Sequence, residues 1–204
     1  MRSIGVVLFE GFELLDVFGP LEMYGIVPES FEIHMVAESG GDIASAQGPR
    51  SVVEHEFGEE RQYDVLLVPG GRGARAEVEN PRLLEWLRIQ SMGAELVTSV
   101  CTGSALLARA GVLDGVRATT NKRSFAWAAS QGDRVSWEKE ARWVEDGKFF
   151  TSSGVSAGMD MSLAVIAKIL GQDAAEQIAI GAEYEWHSEA GWDPFAKIHG
   201  LVSQ

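Results

Sequence analysis

The sequence predicts an α/β fold in which a mainly parallel sheet is covered by helices on both faces, and three observations predict it. Short apolar runs rich in β-branched residues recur at residues 4–9, 31–37, 63–68 and 95–100, with helical or polar stretches between them. Runs that are apolar on both faces suit strands buried on both sides. The fourth run stops at the only cysteine, Cys101, and residues 102–110 then carry Ala105, Leu106 and Ala110 at helical spacing before Gly111. The length is the third observation: 204 residues with 46% hydrophobic content can build one sizeable core, so residues 1–204 read as a single domain.

In chain order, the first strand is broken by Gly11, and residues 13–24 begin a helix that Pro20 must interrupt, kink or restart. Strand 31–37 follows, Gly40 and Gly41 open a polar stretch, and 43–53 has a weak hairpin pattern. Strand 63–68 ends at Pro69, Gly70 and Gly71. Residues 81–92 form a helix with Leu83, Leu84, Leu87 and Met92 available for one buried face. Beyond the cysteine segment come a short strand at 116–120, a short helix at 124–129 and a hairpin of 141–144 with 148–152 around Asp146-Gly147. Residues 153–158 form a small-residue loop, 159–170 a core helix, and 173–184 a further helix capped by Asp173. The tail carries Trp186, Trp192, Pro194 and Phe195, and this aromatic content predicts packing on the body or on a second subunit.

Cys101 sits at a strand-to-helix turn among Ser99, Thr102, Gly103 and Ser104, small residues that permit a sharp turn and leave the thiol approachable. That is the layout of a nucleophile elbow. The unpartnered amides and dipole at the start of the following helix favour thiolate, so a lowered thiol pKa is predicted. Ligands of parallel sheets bind beyond the carboxyl ends of the strands. The loops at 11–16 and 69–73 share that edge with Cys101.

A formal charge of -13 opposes binding to nucleic acid or to an anionic membrane surface. The first apolar run is too short for a membrane span and acidic residues follow at once, which predicts a cytoplasmic protein. A single cysteine cannot form an internal disulfide, in keeping with a reduced compartment.

GFELLDVFGPLE, VPGGRG, LVTSVCTGSALLARAGVLDG and TSSGVSAGMDMSL, in this order, resemble the ThiJ/PfpI superfamily, and within it the isocyanide hydratase branch. The resemblance covers the chain from Ile4 to about Ile180. It implies a flavodoxin-like three-layer sandwich, a class I glutamine amidotransferase-like domain usually assembled as a homodimer. Asp16 occupies the position where other branches carry glutamate. Thr102 matches the residue after the nucleophile, and Gly71 the amide donor after the third strand. Gly70 shares that turn, and the loop from Ser153 to Ser156, with Gly154 and Val155, supplies a pocket wall. Protease-like members place a histidine after Thr-Thr, whereas this chain reads Thr119-Thr120-Asn121-Lys122, so a Cys-His hydrolytic pair lacks its base. His34, His55, His187 and His199 all lie outside the candidate loops.

The implied reaction is hydration of an isocyanide to an N-formamide, through attack by Cys101 and proton handling by Asp16, with Thr102 as a further donor. Two rivals are a glyoxalase-like conversion of 2-oxoaldehydes and a redox-responsive role in which Cys101 is oxidised. Glu183 and His187 would share a helix face, but a lone pair is weak evidence for a metal. Gly70-Gly71-Arg72-Gly73 lacks the spacing of a phosphate loop, and no cofactor is implied. The spread of the six tryptophans suits packing better than an aromatic ligand site.

Overall fold

The computed structural model describes residues 1–203. The elements in order are β1 (Arg2–Val7), α1 (Leu14–Gly25), β2 (Phe31–Ala37), β3 (Gly41–Ala44), β4 (Arg50–Val53), β5 (His55–Glu56), β6 (Val65–Val68), α2 (Ala74–Glu77), α3 (Pro81–Gly93), β7 (Leu96–Ser99) and α4 (Gly103–Arg109). They continue with β8 (Arg117–Ala118), α5 (Phe125–Ala129), β9 (Ser136–Trp137), β10 (Trp143–Asp146), β11 (Phe149–Ser152), α6 (Ala157–Leu170), α7 (Gln172–Gly181) and α8 (Pro194–Ile198).

Seven strands make one sheet in the order β10-β11-β7-β6-β1-β2-β5. Every neighbouring pair is parallel except the β10–β11 hairpin at one edge. The centre is dry: all four residues of β6, and Val97 of β7, have no exposed surface, which explains the uninterrupted apolar runs. Helices α1, α6 and α7 pack together, and α4 packs with α2, α3 and α5. The chain leaves β1 toward β2 and later returns on the other side as β6 and β7, so a topological switch point lies between β1 and β6. The loops after β1, β6 and β7 meet there. Glu13 N–H donates to the Gly70 carbonyl at 2.8 Å and Gly73 N–H to the Gly11 carbonyl at 3.1 Å, locking the first two loops together.

Several expectations are corrected. Pro20 does not break α1, which runs continuously from Leu14 to Gly25. Its missing N–H leaves only the Asp16 carbonyl, four residues back, without a donor, and its buried ring packs beside Gly158 of α6. The strand expected at 116–120 shrinks to two residues, which pair with β9 in a separate small sheet. Asp173 lies in the first turn of α7 but does not cap it, because Gly171 takes the N-cap position without a side-chain bond. Glu183 and His187 do not share a helix face: α7 ends at Gly181 and Glu183 has a φ of 49°.

The tail packs on its own body. Asp160, buried in α6, accepts Tyr184 Oη–H and His187 N–H through Oδ1, both at 2.9 Å, and Trp186 Nε1–H reaches the Asp160 carbonyl at 3.1 Å. Among the described residues no helix is long and apolar enough to cross a membrane.

Candidate active site

Cys101 has a φ of 57°, the left-handed region that a non-glycine residue adopts only under local constraint. The elbow is held from three sides. Cys101 N–H donates to the Ser153 carbonyl at 3.0 Å, while the Cys101 carbonyl accepts Thr120 Oγ1–H at 2.9 Å and Ser104 Oγ–H at 3.2 Å. The adjoining turn requires glycine, since a Cβ on Gly70 would collide with the Thr102 amide and hydroxyl.

Three donors converge on Sγ: the Thr102 amide, the Val155 amide and the Asn121 side chain. Asn121 Oδ1 accepts Ser124 N–H at 3.0 Å, which leaves its Nδ2 for the sulfur. Val155 is the second strained residue, with a φ of 51°. For a β-branched residue that conformation costs about 1–3 kcal/mol, and here it turns the N–H toward the thiol.

Asp16 comes to the same place from the first turn of α1 and is completely buried. Its Oδ2 accepts Gly70 N–H at 2.8 Å, whereas Oδ1 has no hydrogen-bond partner. Burial pushes the Asp16 carboxyl up to about 8, and the Glu13 charge adds to this, against opposing effects from the Gly70 amide and the Cys101 thiol. At neutral pH Asp16 is therefore a protonated acid.

Burial also raises the Cys101 thiol, with the Asp16 charge second, and the three donors oppose the shift without reversing it. This corrects the lowered pKa expected from the helix terminus. The residue keeps only 6% of its surface exposed, and loss of hydration outweighs the local amides.

The predicted glycine donors are committed elsewhere in the free protein. Gly70 N–H serves Asp16, and Gly71 N–H donates to Thr102 Oγ1 at 3.1 Å. Gly71, Thr102 and Val155 line the cavity over Cys101, which encloses about 470 Å³, and Gly154 lines the neighbouring one. No histidine lines the Cys101 cavity among the described residues. His199 borders the neighbouring one, and His34 and His55 meet edge to face on β2 and β5. Trp127 does line the Cys101 cavity, beyond the packing role expected of the tryptophans. Asn121 is the residue that sequence reasoning missed, although it stands where the resemblance would place a histidine. Among the described residues no group of three or more His, Cys, Asp or Glu side chains is arranged to hold a metal.

Comparison with known proteins agrees with this architecture. The chain is 33% identical to an isonitrile hydratase of Pseudomonas putida over 182 residues, covering 89% of this chain and 78% of that protein. It is 28% identical to the HTH-type transcriptional regulator GbdR of Pseudomonas aeruginosa, spanning 90% of this chain but only 51% of the regulator. The crystal structure of a ThiJ/PfpI family protein from Pseudomonas syringae superposes with a TM-score of 0.83 at 32% identity, over 90% of this chain and 75% of that one. Residues 2–168 match the DJ-1/PfpI family, and with the parallel sheet and buried cysteine elbow in place, the chain belongs to that family.

Proposed function

We propose that the protein hydrates isocyanides to N-formamides by covalent catalysis at Cys101. One observation carries the reading: the elbow thiol is partnered by a buried, protonated carboxyl with a free Oδ1, and among the described residues no histidine shares its cavity. The similarity to an isonitrile hydratase supports the choice of substrate.

The reactive form is the monoanion of the pair, in which one proton is shared and Sγ is held by the Thr102 and Val155 amides and Asn121. The thiolate attacks the terminal carbon of R–NC, forming the S–C bond, and Asp16 delivers its proton to that carbon to give the thioimidate R–N=CH–S–Cys101. The Asp16 carboxylate then takes a proton from water as the hydroxyl adds to carbon. A proton moves from the hydroxyl to nitrogen, the C–S bond breaks, and R–NH–CHO leaves. Thiolate and protonated Asp16 are restored, so the balance over both steps is isocyanide plus water.

The test is formamide formation from an aryl or alkyl isocyanide by the purified protein, followed by infrared loss of the N≡C stretch. Cys101→Ala should lower turnover by about 10⁴-fold or more, and retention of full activity would overturn the covalent route. Turnover of methylglyoxal instead would favour the glyoxalase-like reading. Absence of either turnover, together with ready oxidation of Cys101 to sulfinate by mild peroxide, would favour the redox reading.

A homodimer is part of the same reading. Leu15 and Phe18 of α1 stay exposed beside a largely apolar hollow of about 540 Å³ that Leu14 and Val155 also line. A second copy of the chain is the occupant we assign to it, following the family resemblance. Light scattering should report twice the chain mass, and Phe18→Glu should halve it. A wild-type monomer at micromolar concentration would remove the assignment.

A further inference from the structure

The chain carries 30 acidic and 17 basic residues, so most guanidiniums are expected to find a carboxylate. Four have none within 4.0 Å among the described residues: Arg61, Arg72, Arg75 and Arg123. Three of these four, Arg72, Arg75 and Arg123, line the cavity that contains Cys101.

They arrive from two parts of the chain. Arg72 follows the Gly70-Gly71 turn and rests its stem near Gly11, Arg75 lies in the first turns of α2, and Arg123 precedes α5. The Arg75 guanidinium lies 4.3 Å from the centre of the Trp127 ring, which fixes its plane while leaving its N–H edge open. Glu13 is the carboxylate on the same lining, and its Oε1 accepts Gln47 Nε2–H at 2.6 Å. The lining thus carries three cations and one occupied anion, in a protein whose formal charge is -13. Guanidiniums are weakly hydrated and match oxyanions with paired N–H donors. Among the described residues no carboxylate lies within 4.0 Å of any of the three.

We propose that the Cys101 cavity selects substrates carrying an oxyanion, a carboxylate or phosphate, at a distance from the electrophilic carbon. The anion docks at the Arg72, Arg75 and Arg123 rim while the electrophilic end reaches Sγ. The proposal rests on Cys101 being the reacting atom, as in the reading above, and deepens it by naming the substrate class: an anionic isocyanide rather than a neutral one.

A test independent of isocyanide chemistry is alkylation of Cys101 at pH 9 by iodoacetate and by its neutral counterpart iodoacetamide. In both, the thiolate forms an S–C bond and iodide leaves with the electron pair. The iodoacetate-to-iodoacetamide rate ratio, normalised to N-acetylcysteine, should exceed unity by about tenfold at low salt and fall as sodium chloride rises. Arg72→Ala, Arg75→Ala and Arg123→Ala should each reduce it several-fold. Arg61→Ala, an unpaired arginine away from the cavity that contacts His34, should leave it unchanged.

Protection from iodoacetate by acetate assigns a carboxylate site, and protection by inorganic phosphate alone assigns a phosphate site. A ratio at or below unity in the wild type, or one that the three variants leave unmoved, overturns the proposal. If the buried thiol reacts with neither reagent, tryptophan fluorescence decides: benzoate should bind about tenfold more tightly than benzamide, and equal binding overturns the proposal. An anion preference without turnover of neutral or carboxylated isocyanides would sink the hydratase reading and leave the oxyanion selection at Cys101 standing for another electrophile. Turnover of neutral and carboxylated isocyanides at equal kcat/KM, with no ratio above unity, would do the reverse.

Discussion

Asparagine at position 16 is expected to stabilise the protein at neutral pH while lowering turnover by about 10²- to 10⁴-fold. The side-chain oxygen still accepts Gly70 N–H, so the turn after β6 keeps its contact. The proton is what disappears. In the native state burial holds the carboxyl protonated up to about pH 8, against an ordinary value of 3.8. Between about pH 4 and pH 8 the native state therefore holds a proton that the unfolded chain has released. The contribution of Asp16 to wild-type stability therefore falls as pH rises through that window, by about 1.4 kcal/mol per pH unit, and levels off on either side. Asp16→Asn lacks this slope. Urea unfolding at pH 4, 6 and 8 should show the variant gaining on the wild type with each step, and parallel curves would mean that Asp16 titrates like an exposed acid.

The same substitution predicts a kinetic shift of opposite sense. In the wild type the Asp16–Cys101 pair begins to lose its first proton near pH 8, so alkylation and turnover rise through that region. In Asp16→Asn only the thiol titrates, and burial keeps it above the ordinary thiol range. The rise then moves to higher pH. A rise at lower pH would show that repulsion from Asp16, and not burial, dominates the thiol.

What could be read from the chain depended on how local the cause was. The buried strands were legible because apolar residues on both faces leave a direct mark on the sequence. The elbow at Cys101 was legible because its small neighbours do the same. The meeting of the 11–16 and 69–73 loops with Cys101 followed from the parallel topology, which sends the ends of β1, β6 and β7 to one edge. The direction of the thiol shift was not legible. The favourable Thr102 amide is local to Cys101, whereas the burial and the Asp16 charge that outweigh it depend on how distant parts of the chain pack around the thiol. Val155 was expected in the pocket wall, but its strained backbone gave no sign, since a β-branched residue has no preference for the conformation it adopts here. Of the three rim arginines, Arg72 and Arg75 stand three residues apart, and only the fold brings Arg123 to them.

Asp160→Ala is expected to cost about 3–5 kcal/mol, more than any surface ion pair in the molecule, and to reach the site from a distance. Asp160 is completely buried; its Oδ2 accepts Arg142 Nε–H at 2.7 Å and forms an ion pair with Nη2 at 2.6 Å. Its other oxygen holds Tyr184 and His187. Removing the carboxylate leaves a guanidinium only 9% exposed, with Asp193 Oδ2 the nearest remaining carboxylate at 3.9 Å. Arg142 matters to the elbow because its carbonyl accepts Ser153 N–H at 2.8 Å and its Nη2 donates to Ser156 Oγ at 3.4 Å. These contacts bracket Val155, whose strained backbone aims an amide at Sγ. Loosening them should let residue 155 relax toward ordinary φ and withdraw that donor. Hydrogen exchange should therefore rise in both 185–199 and 153–156, and kcat should fall more than KM rises. Arg142→Met with Asp160→Leu, an apolar pair of similar volume, should recover much of the stability without restoring kcat. Recovery of both would show that the ion pair serves only the fold.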